Sequence, residues 1–406
     1  MSKYKKTGCG NSGTVAYVIS NTNSYERKTA GTGTISWGDG TFDEVSGIAS
    51  KKTTHTYAAS GTYTVKFCGN ITAIGEIGDT SQNNLITSIL DLSLPSLKRA
   101  QYLFTDATNL TGTIPNLPPN LENGGEMFSG CSGLTGNVPQ LPSTLTYGFR
   151  MFAGCTGLTG FGFTSFPSGI TVGASMFLDC SKLTGSIPTL PSSLKDGSTM
   201  FTRCSKLTGS IPALPSTLEN GRMMFYECSG LTGNVPQLPS GLTNGNSMFS
   251  GCSGLTGFGF NAFPSGLPTA EFMFADCTSL TGNIPTLPSG LTDGSNMFKG
   301  CTGLTGNIPT LPSGLTDGYY MFKGCTGLTG NIPTLPSALT NGHGMFEDCS
   351  NLSGNVPQQL PSGLEKGSSM FYGVTNLSGT CPTRPSSLTS YSWMYKSTNV
   401  TCDYGK

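Results

Sequence analysis

Residues 297–318 read "MFKGCTGLTGNIPTLPSGLTDG", and residues 321–342 read "MFKGCTGLTGNIPTLPSALTNG". The two copies differ only at Gly314/Ala338 and Asp317/Asn341. Working outward, the phenylalanine of the Met-Phe pair recurs at Phe104, Phe128, Phe152, Phe177, Phe201, Phe225, Phe249, Phe274, Phe298, Phe322, Phe346 and Phe371, with Tyr395 in the same place at the end. The step is 24 residues, stretched to 25 at Phe177, Phe274 and Phe371, which are themselves 97 apart. Single coils were therefore duplicated first, and blocks of four coils later. A fixed period of this length is the mark of a solenoid, in which one turn cannot bury its own apolar face and must stack on its neighbours.

Within the coil begun by Phe298 the apolar positions are Met297, Phe298, Cys301, Leu304, Ile308, Leu311 and Leu315. Neither alternation nor a 3.6-residue period runs through this set, so short extended pieces and corners are expected, with one helical turn near "MFKGC". Pro309 and Pro312 lack a donor and restrict any parallel ladder beside them. The pairs Asp293-Gly294 and Asn341-Gly342 are expected to supply the positive φ of a tight corner.

Composition narrows the function classes. The 406 residues carry no net charge, only 11% are charged, and 57 are glycine. Without a Lys/Arg cluster, nucleic acid and anionic membrane are poor partners. The early lysines Lys3, Lys5 and Lys6 run into "TGCGNSG", which offers neither the apolar core of a signal peptide nor a lipid-attachment motif around Cys9. No apolar run is long enough to cross a bilayer. The expectation is a chain made in a cytoplasm without a membrane anchor, unless an export signal was removed.

Ten of the fourteen cysteines share one repeat position: Cys131, Cys155, Cys180, Cys204, Cys228, Cys252, Cys277, Cys301, Cys325 and Cys349. Stacking would bring their sulfurs near one another, so disulfides or a metal row must be weighed. In the terminal coils the position becomes Ala107 and Val374, which keeps a small apolar group and abandons sulfur. A metal row would want mixed ligands or C-x-x-C pairs. The expectation is reduced, buried filler with no metal and no cofactor. Cys381, at the Ile/Val position of the last full coil, reads as core. Cys9, Cys68 and Cys402 stay unassigned, and a Cys381–Cys402 bridge is one option.

The organisation expected is mainly β: an N-terminal arm (1–11), a β-sandwich (12–78), a capping coil (79–104), a solenoid (105–380) and a C-terminal cap (381–406). Leu97 precedes Phe104 by seven residues as Leu121 precedes Phe128, which marks the capping coil as degenerate. At the far end Trp393, Met394 and Tyr395 are expected to lie over the last Phe. Both ends read as finished, as in a complete protein. Between residues 12 and 78, "TVAYVIS", "GTISWGD", "HTYAASGTYTVKF" and "NITAIGEI" read as strands divided by turn residues.

The segment "SWGDG" followed by "HTYAASGTYTV" resembles the polycystic-kidney-disease (PKD) type of immunoglobulin-like domain. Trp37, Gly38, Asp39 and Gly40 stand in its turn signature, and His55, Tyr57, Gly61 and Tyr63 in its late strands. That resemblance implies a spacer or display module. The coils resemble the BspA-like leucine-rich repeats of bacterial surface proteins, through Phe128, Cys131, Leu134, Leu141 and Pro142 and their equivalents from Phe104 onward. This second resemblance implies a right-handed solenoid used for adhesion or ligand binding.

Catalysis needs acids, bases or nucleophiles that converge. The chain has two histidines, His55 in the strand signature and His343 in a variable turn. Asp293 and Asp317 sit in turn pairs, and Asp39, Asp43 and Glu44 lack calcium-loop spacing, so no enzyme and no metal site are expected. Variation is concentrated beside the Met-Phe pair: Phe149-Arg150, Ser198-Thr199, Arg222-Met223, Glu271-Phe272, Tyr319-Tyr320 and His343-Gly344 before it, and Tyr226, Lys299 and Tyr372 after it. Packing locks core positions, so these are read as an exposed stripe, with Phe149, Arg150, Arg222, Met223, Tyr226, Phe272, Tyr319, Tyr320 and His343 as ligand-binding candidates. Phe161, Phe163 and Phe166, and their counterparts Phe258, Phe260 and Phe263, are read as core. The function expected is a surface-displayed binding protein, first as a bacteriophage fibre or decoration protein that recognises a host-surface protein or glycan. A bacterial adhesin and a self-assembling filament subunit are the alternatives.

Overall fold

The computed structural model describes residues 9–10, 13–75 and 80–402; Lys3, Lys5 and Lys6 of the N-terminal arm lie outside the described residues. Two compact units result, residues 1–194 and 195–406.

The coil beginning at Met297, in the second unit, shows how the repeat is held. Alternate amides point in two directions. Met297, Lys299 and Cys301 donate to carbonyls three residues back, at 3.0–3.1 Å, which closes successive turns. Gly294, Asn296, Phe298 and Gly300 instead donate to Asp317, Tyr319, Met321 and Lys323 of the next coil at 2.7–2.9 Å. The helical turn expected near "MFKGC" is thus replaced by turns in which half of the donors serve the neighbouring coil. That division meets the backbone's demand for partners while gluing one coil to the next.

The corner glycines have a different role from the one expected. Gly294, Gly318 and Gly342 do not have positive φ. Instead, a Cβ on Gly294 would lie 2.9 Å from Cε and Sδ of Met321, so the missing side chain makes room for the methionine of the next coil. The preceding acid or amide makes the corner: Asp293 Oδ1 accepts from Ser295 N at 2.9 Å, and Asp317 Oδ1 from Tyr319 N at 2.8 Å. Positive φ falls two residues later, on the residue just before the methionine.

Inside the coils the rings stack. In the first unit Phe104, Phe128, Phe152 and Phe177 follow one another at 5.4–5.5 Å. In the second, Phe201 to Phe371 do so at 5.3–5.8 Å, and Tyr395 closes the row 5.4 Å from Phe371. Each row is fully buried as far as Phe371. Phe161, Phe163 and Phe166 pack edge-on or tilted around Phe177, as Phe258, Phe260 and Phe263 do around Phe274, and so fill core space.

The first unit starts with an antiparallel sheet of β1 (Val15–Ser36), β2 (Phe42–Ile74) and β3 (Ile86–Leu92), in the order β2-β1-β3. The four strands expected between residues 12 and 78 run together as two long, bulged strands. Phe67 of β2 pairs with both Val15 and Ile35 of β1, so this length of β2 runs between two lengths of the same bulged strand. Bulges carry a strand round a bend without surrendering its ladder. Gly38, at φ +90, needs its freedom because a Cβ would lie 2.7 Å from Thr64 N. Beneath the turn, Trp37 stacks on His55 at 5.1 Å.

This sheet caps the first coils. Ala73 pairs in parallel with Arg99, which continues through Asn123 and Tyr147 to Val172. Tyr17 covers Phe104 edge-on at 5.7 Å, and the buried Asn83 amide donates to the Tyr102 and Thr105 carbonyls. Short parallel strands β4 (Gly112–Thr113), β5 (Leu134–Val138) and β6 (Leu158–Phe161) line one side of the coils. The second unit repeats this with β7 (Gly209–Ser210), β8 (Leu231–Val235) and β9 (Leu255–Phe258), then with a five-stranded sheet from β10 (Gly306–Asn307) through β11 (Leu328–Asn331), β12 (Leu352–Asn355) and β13 (Asn376–Thr380) to β14 (Asn399–Thr401).

The ten repeat cysteines are free and buried. Nine have a resolved thiol bond to the phenylalanine carbonyl of the previous coil, such as Cys301 to Phe274 and Cys325 to Phe298, both at 3.0 Å. Sulfur is therefore more than filler, since it also serves a carbonyl that an Ala or Val leaves to other donors. The remaining four cysteines form Cys9–Cys68 and Cys381–Cys402. The first bridge assigns Cys9 and Cys68, and the second is the Cys381–Cys402 option; it corrects the reading of Cys381 as core, since that half-buried sulfur is bonded to the tail.

Candidate functional site

The residue before each Met-Phe pair has a left-handed backbone. Its φ lies between +50° and +59° at Tyr102, Glu126, Arg150, Ser175, Thr199, Met223, Ser247, Phe272, Asn296, Tyr320, Gly344, Ser369 and Trp393. Only one of these positions is glycine. For a residue other than Gly, Asn or Asp this conformation costs about 1–2 kcal/mol. A second left-handed position, two residues after the Phe, is served by Gly130, Gly154, Gly251, Gly300, Gly324 and Gly373 in half of the coils. In the other coils this second position holds Asp106, Asp179, Arg203, Glu227, Asp276, Asp348 or Ser397. Before the methionine glycine occurs once, at Gly344, and Arg150, Met223, Phe272, Tyr320 and Trp393 place large side chains there at a backbone cost.

In the first unit, Phe149 is half-buried beside Tyr147 at 6.3 Å and Arg150 is exposed. In the second, Arg222 is exposed, while Met223 and Tyr226 are half-buried. Tyr226 titrates above the usual tyrosine range because of its hydrogen bond to Glu227. Phe272 is 39% exposed, and the Glu271 carboxyl beside it is raised by desolvation and by the charge of Asp293. Tyr319, Tyr320 and His343 form one cluster. The Tyr319 and Tyr320 ring centres are 4.3 Å apart, Tyr319 stacks on His343 at 5.3 Å, and His343 Nε2 lies 3.1 Å from the Tyr320 hydroxyl. Lys323 Nζ sits 4.4 Å from the Tyr320 ring centre and bonds Glu347 Oε1 at 2.7 Å.

Trp393 was missed. Expected in the cap over the last Phe, it is 64% exposed, and Met394 and Tyr395 alone point inward to do that work. The period held the signal, for Trp393 follows Tyr320 by 73 residues, three repeat steps, and so occupies the same outward, left-handed position. In the N-terminal sheet the remaining acid candidates have protein partners. Desolvation pushes the Asp39 carboxyl upward, but hydrogen bonds from Thr41 and His55 outweigh it and hold it at about 2. Asp43 accepts from Trp37 Nε1 at 2.8 Å. No group of three or more His, Cys, Asp or Glu placed to hold a metal occurs among the described residues. No described helix is long and apolar enough to cross a membrane.

In-register coils of 24–25 residues, a buried aromatic row and an outward row of varied side chains define a leucine-rich-repeat solenoid. Residues 83–208, 124–256, 187–305 and 269–399 match the BspA type leucine-rich repeat region, in six copies. The chain belongs to the BspA-type leucine-rich repeat family. Proteins with such repeats are generally binding or adhesion proteins of surfaces. No curated protein matches the chain. Among solved structures it is similar to a leucine-rich repeat protein from Eubacterium ventriosum, with 15% identity over 72% of this chain and 89% of that one and a TM-score of 0.29. It is also similar to TLR13 in complex with ssRNA13, with 14% identity over 71% of this chain and 54% of that one and a TM-score of 0.23. Likenesses this distant carry no functional weight.

Proposed function

We propose that this is a non-enzymatic, surface-displayed binding protein whose recognition face is the left-handed stripe, and that the PKD-like N-terminal segment serves as its spacer or attachment module. The observation that carries the reading is the retention of large side chains at positions where glycine would relieve the backbone. The second left-handed position takes glycine in six coils and Asp, Arg, Glu or Ser in the others, whereas the position before the methionine takes glycine only at Gly344. The two disulfides fit display outside a reducing compartment. The finer setting we propose is a bacteriophage fibre or decoration protein that recognises a host-surface protein or glycan, with a bacterial cell-surface adhesin as the second setting.

Whole-cell binding by the parent and by the Tyr319→Ala, Tyr320→Ala double variant tests the stripe. The double variant is expected to lose most of its binding. Phe272→Gly is expected to change stability by less than about 1 kcal/mol, because backbone relief offsets the lost burial of a part-exposed ring. Equal cell binding by parent and double variant would remove the stripe from the account. A concentration-dependent sedimentation coefficient for the pure protein would favour the filament alternative instead.

A further inference from the structure

Towards the end of the second unit the stripe has a gap. Tyr320, Ser369 and Trp393 occupy the outward left-handed position in their coils, but Gly344 stands between them with φ +57. A Cβ on Gly344 would collide with the Tyr320 ring, which leans into the vacated space. Ser368, Ser369 and Ser392 of the following coils bring hydroxyls and little bulk. The outcome is a groove of about 550 Å³, with Tyr320 and His343 towards its earlier coils, Tyr372 and Trp393 towards its later ones, and Glu347 among the serines. That volume lies within the range of small-ligand sites, roughly 300–1,000 Å³.

The geometry points to a sugar-binding site: this groove takes a pyranose unit of an uncharged glycan chain. The inference rests on the stripe being a binding face. Three features select this class. A pyranose has an apolar C–H face and a rim of hydroxyls, which match exposed aromatic faces beside serine hydroxyls, an imidazole and a carboxylate. The one carboxylate lining the groove is neutralised, since Glu347 Oε1 is paired with Lys323, and the Lys396 ammonium beside the groove lies 4.6 Å from the Trp393 ring centre, where it is already engaged. An extended peptide would find no free ladder here, because the amides of Gly344 and Ser369 already donate to Ser368 and Ser392 of the next coil at 2.9 Å.

Trp393 is also the natural reporter, for the only other tryptophan, Trp37, is fully buried in the N-terminal sheet. The test is a calorimetric and fluorescence titration of the full chain with maltohexaose, cellohexaose, mannohexaose and xylohexaose, and with a decaproline peptide. At least one hexasaccharide is expected to bind saturably and shift tryptophan emission. Its affinity is expected to fall about tenfold in Trp393→Ala and in Tyr372→Ala, as loss of one stacked ring implies, and to stay within about threefold in Trp393→Phe. Trp393 is mostly exposed, so its variants retain the parent's melting point. Binding by none of the sugars, binding indifferent to Trp393→Ala, or Trp393-dependent binding of decaproline would each overturn the inference. Cell binding that depends on Tyr319 and Tyr320 in the absence of any sugar binding would sink this inference and leave the proposed function standing.

Discussion

Phe298→Ala is expected to destabilise the second unit by about 3–5 kcal/mol, the usual cost of removing a buried phenylalanine ring. The ring is fully buried, with Phe274 and Phe322 stacked 5.7 and 5.8 Å away and Phe263 edge-on at 6.3 Å. Truncation leaves a gap in a column whose neighbours are held by ladder bonds above and below, so the coils cannot collapse to fill it. Repeat arrays transmit damage chiefly to adjacent repeats. Amide exchange should therefore accelerate most in the coils of Phe274 and Phe322. Denaturant unfolding of parent and variant measures the loss. An unchanged midpoint would mean that this row does not face inward.

The ten repeat thiols are expected to be nearly silent towards a thiol reagent such as DTNB until the chain unfolds, and then to react together. Desolvation pushes Cys325 up to about 12 from an ordinary 9.0, outweighing the backbone hydrogen bond from Cys301 that lowers it. Cys131, Cys180, Cys228 and Cys277 are likewise held at about 12, chiefly by desolvation. Thiols held that high carry almost no thiolate at neutral pH, before any steric shielding is counted. The sign is fixed by the chemistry: a raised thiol pKa keeps the sulfur protonated and unreactive until the pH is strongly alkaline. Without reductant, ten groups should titrate in guanidinium, because four of the fourteen cysteines are in disulfides. Rapid reaction of several thiols in the native protein would contradict their burial, and fourteen in guanidinium would contradict the bridges.

The coil architecture was legible because its signals are one-dimensional. Phe, Cys and Leu recur at fixed steps, and packing tolerates nothing else inside, so period alone marks inward positions such as Phe298 and Cys301. The end values Ala107 and Val374 mark the position as one for a small buried group, and the ten thiols that fill it are free and buried. What the repeat conceals is backbone conformation. The glycines of the "DG" and "NG" pairs draw the eye as left-handed residues, yet they serve to admit the next coil's methionine, and the left-handed site falls on residues such as Phe272 and Tyr320, whose identities give no hint of it. The bridges were illegible for a related reason. Cys9 and Cys68 are 59 residues apart in a segment without a repeat, and only the folded-back pairing of β1 and β2 brings them together. In the stripe, Tyr319, Tyr320 and His343 were found from internal variation and do cluster. Trp393 was lost because its place at the end of the chain invited a capping role.

Stacking in register underlies the ring column, the thiol row and the outward stripe alike, and one cross-linking experiment addresses it. Thr316 and Thr340 are both exposed, stand one repeat apart, and are joined by the Thr340 amide donating to the Thr316 carbonyl at 3.0 Å. With Thr316→Cys and Thr340→Cys in the otherwise intact chain, mild oxidation should close an intramolecular disulfide, since adjacent strands in register lie about 4.8 Å apart. Peptide mapping after digestion reads the link directly. Efficient linkage of Cys at 316 to Cys at 340 is the predicted result. Failure of that pair, together with ready closure of the shifted pair Thr316→Cys and Ala338→Cys, would contradict the register on which the account is built.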